Sequence, residues 1–112
     1  MLLSELEPRW WAEAGRHKQG VSFLCPHCVL AKDPNPQRLG VAFANPIDGG
    51  AQVKLGLEVH LTNVHDLRLY DVPPGFHWTR IGDTFETLSL TPSVDCSRSG
   101  HWHGHITAGE IR

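Results

Sequence analysis

The sequence lacks the features of a membrane-spanning or a strongly basic protein. It has no apolar run near the about 18 residues that a membrane-spanning helix needs. Ten lysines and arginines stand against twelve aspartates and glutamates, and the resulting net charge of -2 disfavours a strongly basic nucleic-acid binder. No basic segment followed by an apolar one opens the chain, so we expect neither a secretory signal nor a membrane partner.

Cysteine is scarce, and the number of cysteines is odd. Three cysteines cannot all pair within one chain, and without an export signal a disulfide framework is disfavoured. Cys25 and Cys28 form a C-P-H-C motif, which places two thiolates at the spacing that tetrahedral zinc prefers. A thioredoxin-like redox pair is the alternative, but it expects a βαβ context that the sequence does not show. The motif therefore predicts a Zn²⁺ site.

The remaining zinc ligands are expected near the C terminus, where Cys96 precedes an H-W-H-G-H segment. If this segment is extended, its three histidines lie on one face. The preferred shell is Cys25, Cys28, Cys96 and His103, a Cys₃His set. The competing shell replaces Cys96 with His101. The sequence does not decide between these two shells.

Turn residues and alternating apolar residues predict a mostly β fold. Proline and glycine clusters separate short apolar runs, and no long helical pattern occurs. We expect residues 1–112 to form one small domain of short antiparallel strands with little helix, held together by a zinc-ribbon-like Cys/His site. Strands are predicted at 21–24, 40–44, 53–61, 66–72, 76–80 and 85–90, with a terminal hairpin from 101 to 112 that turns at Ala108-Gly109.

The sequence carries no motif that establishes an enzyme. The H-x-E…P-C-x-x-C pattern of zinc deaminases is absent. Ser93, His101 and Asp95 can be combined into a Ser-His-Asp set, but such sets arise by chance and no G-x-S-x-G motif supports this one. The enzyme class is left uncertain, with a non-enzymatic role favoured and no catalytic residue assigned.

Several stretches together resemble a known family. They are F-L-C-P-H-C at 23–28, F-A-N-P-I-D-G-G at 43–50, the segment 82–104 that ends in G-H-W-H-G, and I-T-A-G-E-I at 106–111. The sequence is similar to small uncharacterised proteins that are common in tailed phages and prophages. Members often carry the label "ammonia monooxygenase", which names a membrane-embedded copper enzyme. This chain shows no membrane segment, so the label does not fit it.

The resemblance implies a zinc protein without an assigned activity. In the family a CxxC motif and a His-Gly near the C terminus recur as zinc ligands, which correspond here to Cys25, Cys28 and His103. The sequence and the resemblance together predict a binding module that acts on a host or phage macromolecule, in host takeover or counter-defence. We expect it in the cytoplasm of an infected or lysogenic bacterium, with a protein partner favoured over a nucleic acid. A small zinc-dependent hydrolase and a nucleic-acid-binding zinc ribbon are the alternatives.

Overall fold

Short antiparallel strands are the main regular elements of this computed structural model, as the sequence predicts. The structure describes residues 1–12, 18–47, 60–61, 77–97 and 100–112. Among these residues a single short α-helix occurs, and no helix is long and apolar enough to cross a membrane. The mostly β fold class is thereby confirmed, whereas the assignment of 1–112 to one domain stays a prediction. In chain order the elements are a 3₁₀ turn Leu3–Leu6, β1 Arg9–Ala12, β2 Gly20–Leu24, α1 Pro26–Leu30, β3 Arg38–Ala42, β4 His60–Leu61, β5 Thr79–Ile81, β6 Ser89–Thr91, β7 Val94–Asp95, β8 His103–Gly104, β9 Ile106–Thr107 and β10 Glu110–Ile111.

Strand β2 lies at the centre of the core. It pairs with β1 on one side and β3 on the other, in a sheet of order β3-β2-β1-β4. Val21 lies opposite Trp10 in β1, and Phe23 lies opposite Leu39 in β3. All five residues of β2 are buried, which suits a strand covered on both faces. The C-P-H-C motif follows this strand directly, so the motif begins inside the core.

A buried arginine links the sheet to the N-terminal segment. Strand β3 begins at Arg38, earlier than the strand predicted at 40–44. The Arg38 side chain is only 3% exposed, and its guanidinium donates hydrogen bonds to the Glu7 carbonyl oxygen at 3.0 Å and to Ser22 Oγ at 3.1 Å. A buried charge without partners would be costly, and these acceptors offset that cost.

Three two-stranded ribbons form the C-terminal region, namely β5 with β6, β7 with β8, and β9 with β10. The strand predicted at 76–80 is displaced, because β5 begins only at Thr79. Trp78 instead donates its backbone N–H to the Ala42 carbonyl oxygen at 2.8 Å, which joins this region to the main sheet. Leu3 N–H donates to the Gly109 carbonyl oxygen at 2.8 Å, so the N-terminal turn packs on the terminal hairpin.

The turn of the terminal hairpin and the first of the predicted strands agree with the sequence. The strand predicted at 21–24 is confirmed within β2, and Ala108-Gly109 forms the turn between β9 and β10. Both follow from local signals, a short apolar run and a residue pair with positive φ. The strand predicted at 66–72 lies outside the described residues. Of the strand predicted at 53–61, only His60–Leu61 is described, and it forms β4.

The strand predicted at 85–90 is wrong in its first half. Residues 85–87 form a turn, and β6 begins at Ser89. The Thr84 and Thr87 hydroxyls share a hydrogen bond of 2.8 Å, which closes the turn. The Phe85 ring stacks on Trp10 with 4.4 Å between ring centroids. This contact between distant residues overrides the local strand pattern.

Two glycines with the same backbone conformation provide a test of this turn. Gly82 and Gly100 have φ values of +86° and +80°. A Cβ at Gly82 would lie 2.3 Å from the Thr87 carbonyl oxygen, whereas a Cβ at Gly100 would meet nothing within 4 Å. Gly100→Ala should therefore cost about 1 kcal/mol of left-handed strain, and Gly82→Ala at least about 2 kcal/mol. Denaturant unfolding of both variants measures the difference, and equal losses would contradict the described packing of this turn.

Candidate metal centre

Two cysteines and one histidine meet at the end of strand β2. The possible ligand atoms of Cys25, Cys28 and His101 all lie within 4.8 Å of one another. Cys28 Sγ is 3.4 Å from His101 Nδ1. Cys25 is fully buried, Cys28 is 7% exposed, and His101 is partly exposed. The group thus lies at the boundary of the core, with its histidine on the solvent side.

A single turn of helix brings the two cysteines together. Cys25 follows β2 and stands at the N-cap of α1, with Pro26 at the first helical position, where a missing N–H is tolerated. Cys25 N–H donates to the Gln37 carbonyl oxygen at 2.7 Å, and Val29 N–H donates to the Cys25 carbonyl oxygen at 3.0 Å. Residues three apart on a helix share a face, so Cys28 returns beside Cys25. The sequence pattern did not predict this helix, although proline at its start is a signal for one.

The β7–β8 ribbon carries His101 to the same place. Cys96 N–H donates to the Trp102 carbonyl oxygen at 2.9 Å, and His101 N–H donates to the Cys96 carbonyl oxygen at 3.1 Å. These bonds close the loop between the two strands. The Trp102 ring packs edge-on against Phe23, with 6.0 Å between ring centroids. Because Phe23 belongs to β2, this contact fixes the loop next to the cysteine motif.

The electrostatic setting favours a neutral Cys25 thiol when no cation is bound. Burial raises the pKa of the Cys25 thiol, and the neighbouring Cys28 raises it further. Hydrogen bonds from the backbone N–H groups of Cys28 and Trp102 act in the opposite direction without reversing the shift. A reactive redox cysteine has a lowered pKa and an exposed sulfur. Cys25 has neither property, so the redox alternative loses support.

The donor set and its spacing fit zinc. Thiolate and imidazole ligands together favour zinc over hard cations such as magnesium or calcium. In a tetrahedral site with Zn–S near 2.3 Å and Zn–N near 2.0 Å, a sulfur and a nitrogen ligand are about 3.6 Å apart. The observed 3.4 Å between Cys28 Sγ and His101 Nδ1 is close to that value. Cys25, Cys28 and His101 could therefore hold the ion, which would replace the thiol protons as the compensating positive charge.

Two residues of the preferred sequence-based shell lie outside this group. Asp95 and His103 face each other across β7 and β8, so their side chains share a face. Cys96 is 4% exposed and belongs to the core cluster, whereas His103 is exposed and its Nε2 lies 3.3 Å from Ser93 Oγ. The alternative histidine, His101, is the one beside the cysteines. The Cys₃His shell itself stays a prediction.

The histidines of the H-W-H-G-H segment have different surroundings. The predicted strand 101–107 is divided, because β8 covers only His103–Gly104 and β9 begins at Ile106. His101 therefore belongs to the loop that Cys96 closes, and it faces Cys28 rather than sharing the partners of His103. His105 is exposed.

Gly104 makes room for Trp102. A Cβ at Gly104 would lie 2.5 Å from the Trp102 ring and 2.3 Å from the Arg112 carbonyl oxygen. The indole therefore covers the glycine, and a larger residue would push it away. The G-H-W-H-G motif thus supplies one candidate ligand, one core side chain and the space that this side chain needs.

Comparison with known proteins adds no assignment. A scan against protein-family models, a search of curated proteins and a search of solved structures each found no match. The site must therefore be interpreted from its own geometry.

Zinc affinity should depend on the space at Gly104. Gly104→Ala should displace Trp102 and with it the backbone that positions His101, and zinc affinity should fall about 10- to 100-fold, as for other changes next to metal ligands. Competition with a chromophoric chelator measures the affinity. His105→Gln, a change at an exposed histidine, is the control and should leave it unaltered. An unchanged zinc affinity in Gly104→Ala would show that the position of Trp102 does not affect the metal site.

Zinc binding should release protons. Because the pKa of the Cys25 thiol is raised, that group is neutral near pH 7 in the metal-free protein and must lose its proton to become a ligand. We expect at least about one proton per zinc at pH 7, and an affinity that falls as the pH is lowered. Calorimetric titration in buffers of different ionisation enthalpy counts the protons. Zinc binding without proton release would show that Cys25 is not a ligand.

Proposed function

We propose that this chain is a small zinc-binding module in which the metal holds the fold together and the protein surface binds a macromolecular partner. The observation that carries the proposal is the group formed by Cys25, Cys28 and His101. Its members come from the C-P-H-C motif and from the β7–β8 loop, which are distant in sequence. One ion bound by all of them would tie the C-terminal ribbons to the central sheet.

The burial of the two cysteines supports a structural role for the metal. A catalytic zinc keeps an open position that substrate can reach, whereas a structural zinc is held by protein ligands within the fold. Here Cys25 is fully buried and Cys28 is 7% exposed, and Trp102 packs on the same part of the core. We therefore favour a structural zinc over the hydrolase alternative.

The basic residues give little support to nucleic-acid binding. Among the described residues, the Arg38 guanidinium is buried and occupied by acceptors of the protein itself. The Lys18 ammonium lies over the Trp10 ring at 5.1 Å from its centroid, and Arg112 pairs with Glu110 at 3.2 Å. Phosphate contacts need several accessible cations on one surface. We therefore propose a protein as the partner.

Two tryptophans pack on the core and leave other apolar side chains for a partner. Trp10 is 8% exposed and stacks on Phe85, and Trp102 packs on Phe23. Leu30 at the end of α1 and Ile81 in β5 are 71% and 70% exposed, and these are the apolar side chains we propose for partner contact.

The biological setting is proposed from the family resemblance. We infer a phage or prophage protein that acts in the cytoplasm of an infected or lysogenic bacterium, on a host or phage protein. The resemblance in the C-P-H-C and G-H-W-H-G segments supports this setting, and the chemistry of the site is compatible with it.

Removal of the metal should destabilise the protein. Structural zinc can contribute on the order of 10 kcal/mol, comparable with the roughly 5–15 kcal/mol that stabilises a small domain. We expect a strong chelator to lower the melting temperature of the wild type by more than about 10 °C, since about 1 kcal/mol shifts it by several degrees. Cys25→Ser should melt at the lowered temperature with or without chelator. A wild type that is indifferent to the chelator would contradict a structural metal.

Partner capture should depend on the exposed apolar residues. Zinc-loaded wild type, used as bait in extracts of phage-infected and uninfected bacteria, should retain a specific protein. Leu30→Asp and Ile81→Asp should weaken that retention without changing the melting temperature, because both side chains lie at the surface. Glu5→Gln, a change at an exposed residue of the N-terminal turn, is the control. Retention of nucleic acid in place of protein, or of nothing, would refute the proposed partner class.

A further inference from the structure

Three polar side chains lie together on the exposed face of the β7–β8 ribbon. Asp95 and His103 are cross-strand partners, so their side chains lie on the same face. Ser93 precedes Asp95 by two positions in the sequence, and its hydroxyl reaches the same histidine. This set does not include His101, which the Ser-His-Asp combination in the sequence contained. It is separate from the metal group and is not explained by the proposed structural zinc.

The order of the atoms is that of a nucleophile, a base and an orienting carboxylate. His103 Nε2 is 3.3 Å from Ser93 Oγ, and His103 Nδ1 is 4.0 Å from Asp95 Oδ1. The first distance lies at the long end of hydrogen-bond range, and the second exceeds that range but leaves the carboxylate beside the ring. The ring thus turns Nε2 towards the serine hydroxyl and Nδ1 towards the Asp95 carboxylate, the arrangement of a serine nucleophile with a histidine base.

Neighbouring groups hold two of the three residues in place. Asp95 Oδ1 accepts hydrogen bonds from the backbone N–H of Ser97, at 3.0 Å, and from the Ser97 hydroxyl. The Trp78 indole N–H donates to the Ser93 carbonyl oxygen at 3.2 Å, and Trp78 is 2% exposed. The carboxylate and the serine backbone are therefore anchored, the latter to the core.

We propose that Ser93 is a nucleophile that His103 activates as general base, with Asp95 as the positioning residue, and that it acts on activated esters. The Ser93 oxygen attacks the acyl carbon while its proton passes to His103 Nε2. The alkoxide leaving group departs with that proton, and an acyl ester of Ser93 remains. A water molecule then attacks the ester and gives a proton to His103, which returns it to Ser93 as the carboxylic acid leaves.

The exposure of the site limits the class of substrate. The side chains of His103 and Asp95 are 53% and 54% exposed, so bulk water reaches them. Water weakens the electrostatic stabilisation of a developing oxyanion. The site therefore suits small esters with good leaving groups, and amides lie outside its range.

The test uses two reagents on the zinc-loaded protein. An alkyl fluorophosphonate loses fluoride when a serine oxygen attacks its phosphorus, and the stable adduct can be located by peptide mass mapping. We expect the adduct on Ser93, formed at least about tenfold faster than in His103→Gln or Asp95→Asn, since general-base assistance is usually larger than that. Hydrolysis of p-nitrophenyl acetate should exceed the buffer rate and should lose this excess in Ser93→Ala.

Matched controls make each outcome decisive. His105→Gln changes another exposed histidine of the C-terminal segment and should label like the wild type. Melting temperature and zinc content are measured on every variant, and Asp95→Asn serves if His103→Gln does not fold. Labelling spread over several serines, labelling of Ser93 at an equal rate in His103→Gln, or loss of zinc from a folded His103→Gln would overturn the proposal. The last result would mean that the imidazole is a metal ligand and not a base.

Discussion

The closeness of two buried sulfur atoms is the constraint on which this structure depends. Cys25 and Cys28 lie at the end of a fully buried strand, and both cannot become thiolates there without a compensating positive charge. Without a cation, burial raises the pKa of the Cys25 thiol and keeps that sulfur neutral. When a cation is bound, the same burial strengthens the site, because attraction between thiolate and metal is strong where water is scarce. His101 then links the C-terminal ribbons to the sheet.

The sequence predicted both cysteines of the metal group and offered its histidine, His101, only in the competing shell. The C-P-H-C spacing is local chemistry, so Cys25 and Cys28 could be assigned directly. The choice among the histidines depends on the register of β7 and β8, which pairs Asp95 with His103 and leaves His101 in the loop. Register is determined by tertiary packing, here by Trp102 on the core, and no turn motif in the sequence specifies it.

In the fold, too, features set by local sequence could be predicted, whereas features set by long-range contacts could not. The strand before the cysteines and the terminal hairpin could be predicted, because an apolar run and an Ala-Gly turn act over few residues. The turn at 85–87 could not, because it depends on the stacking of Phe85 on the distant Trp10. Trp10 is itself buried in the core, where its large apolar ring contributes to packing.

Zinc K-edge X-ray absorption of the purified protein would reveal whether Cys25, Cys28 and His101 hold one zinc ion. We expect two sulfur neighbours near 2.3 Å and at least one nitrogen near 2.0 Å. The spectrum of His103→Gln should match the wild type, and His101→Gln should lose the metal or the nitrogen shell. A third sulfur would place Cys96 among the ligands and contradict the assignment. A sample without zinc, or with oxygen and nitrogen neighbours alone, would refute the metal centre.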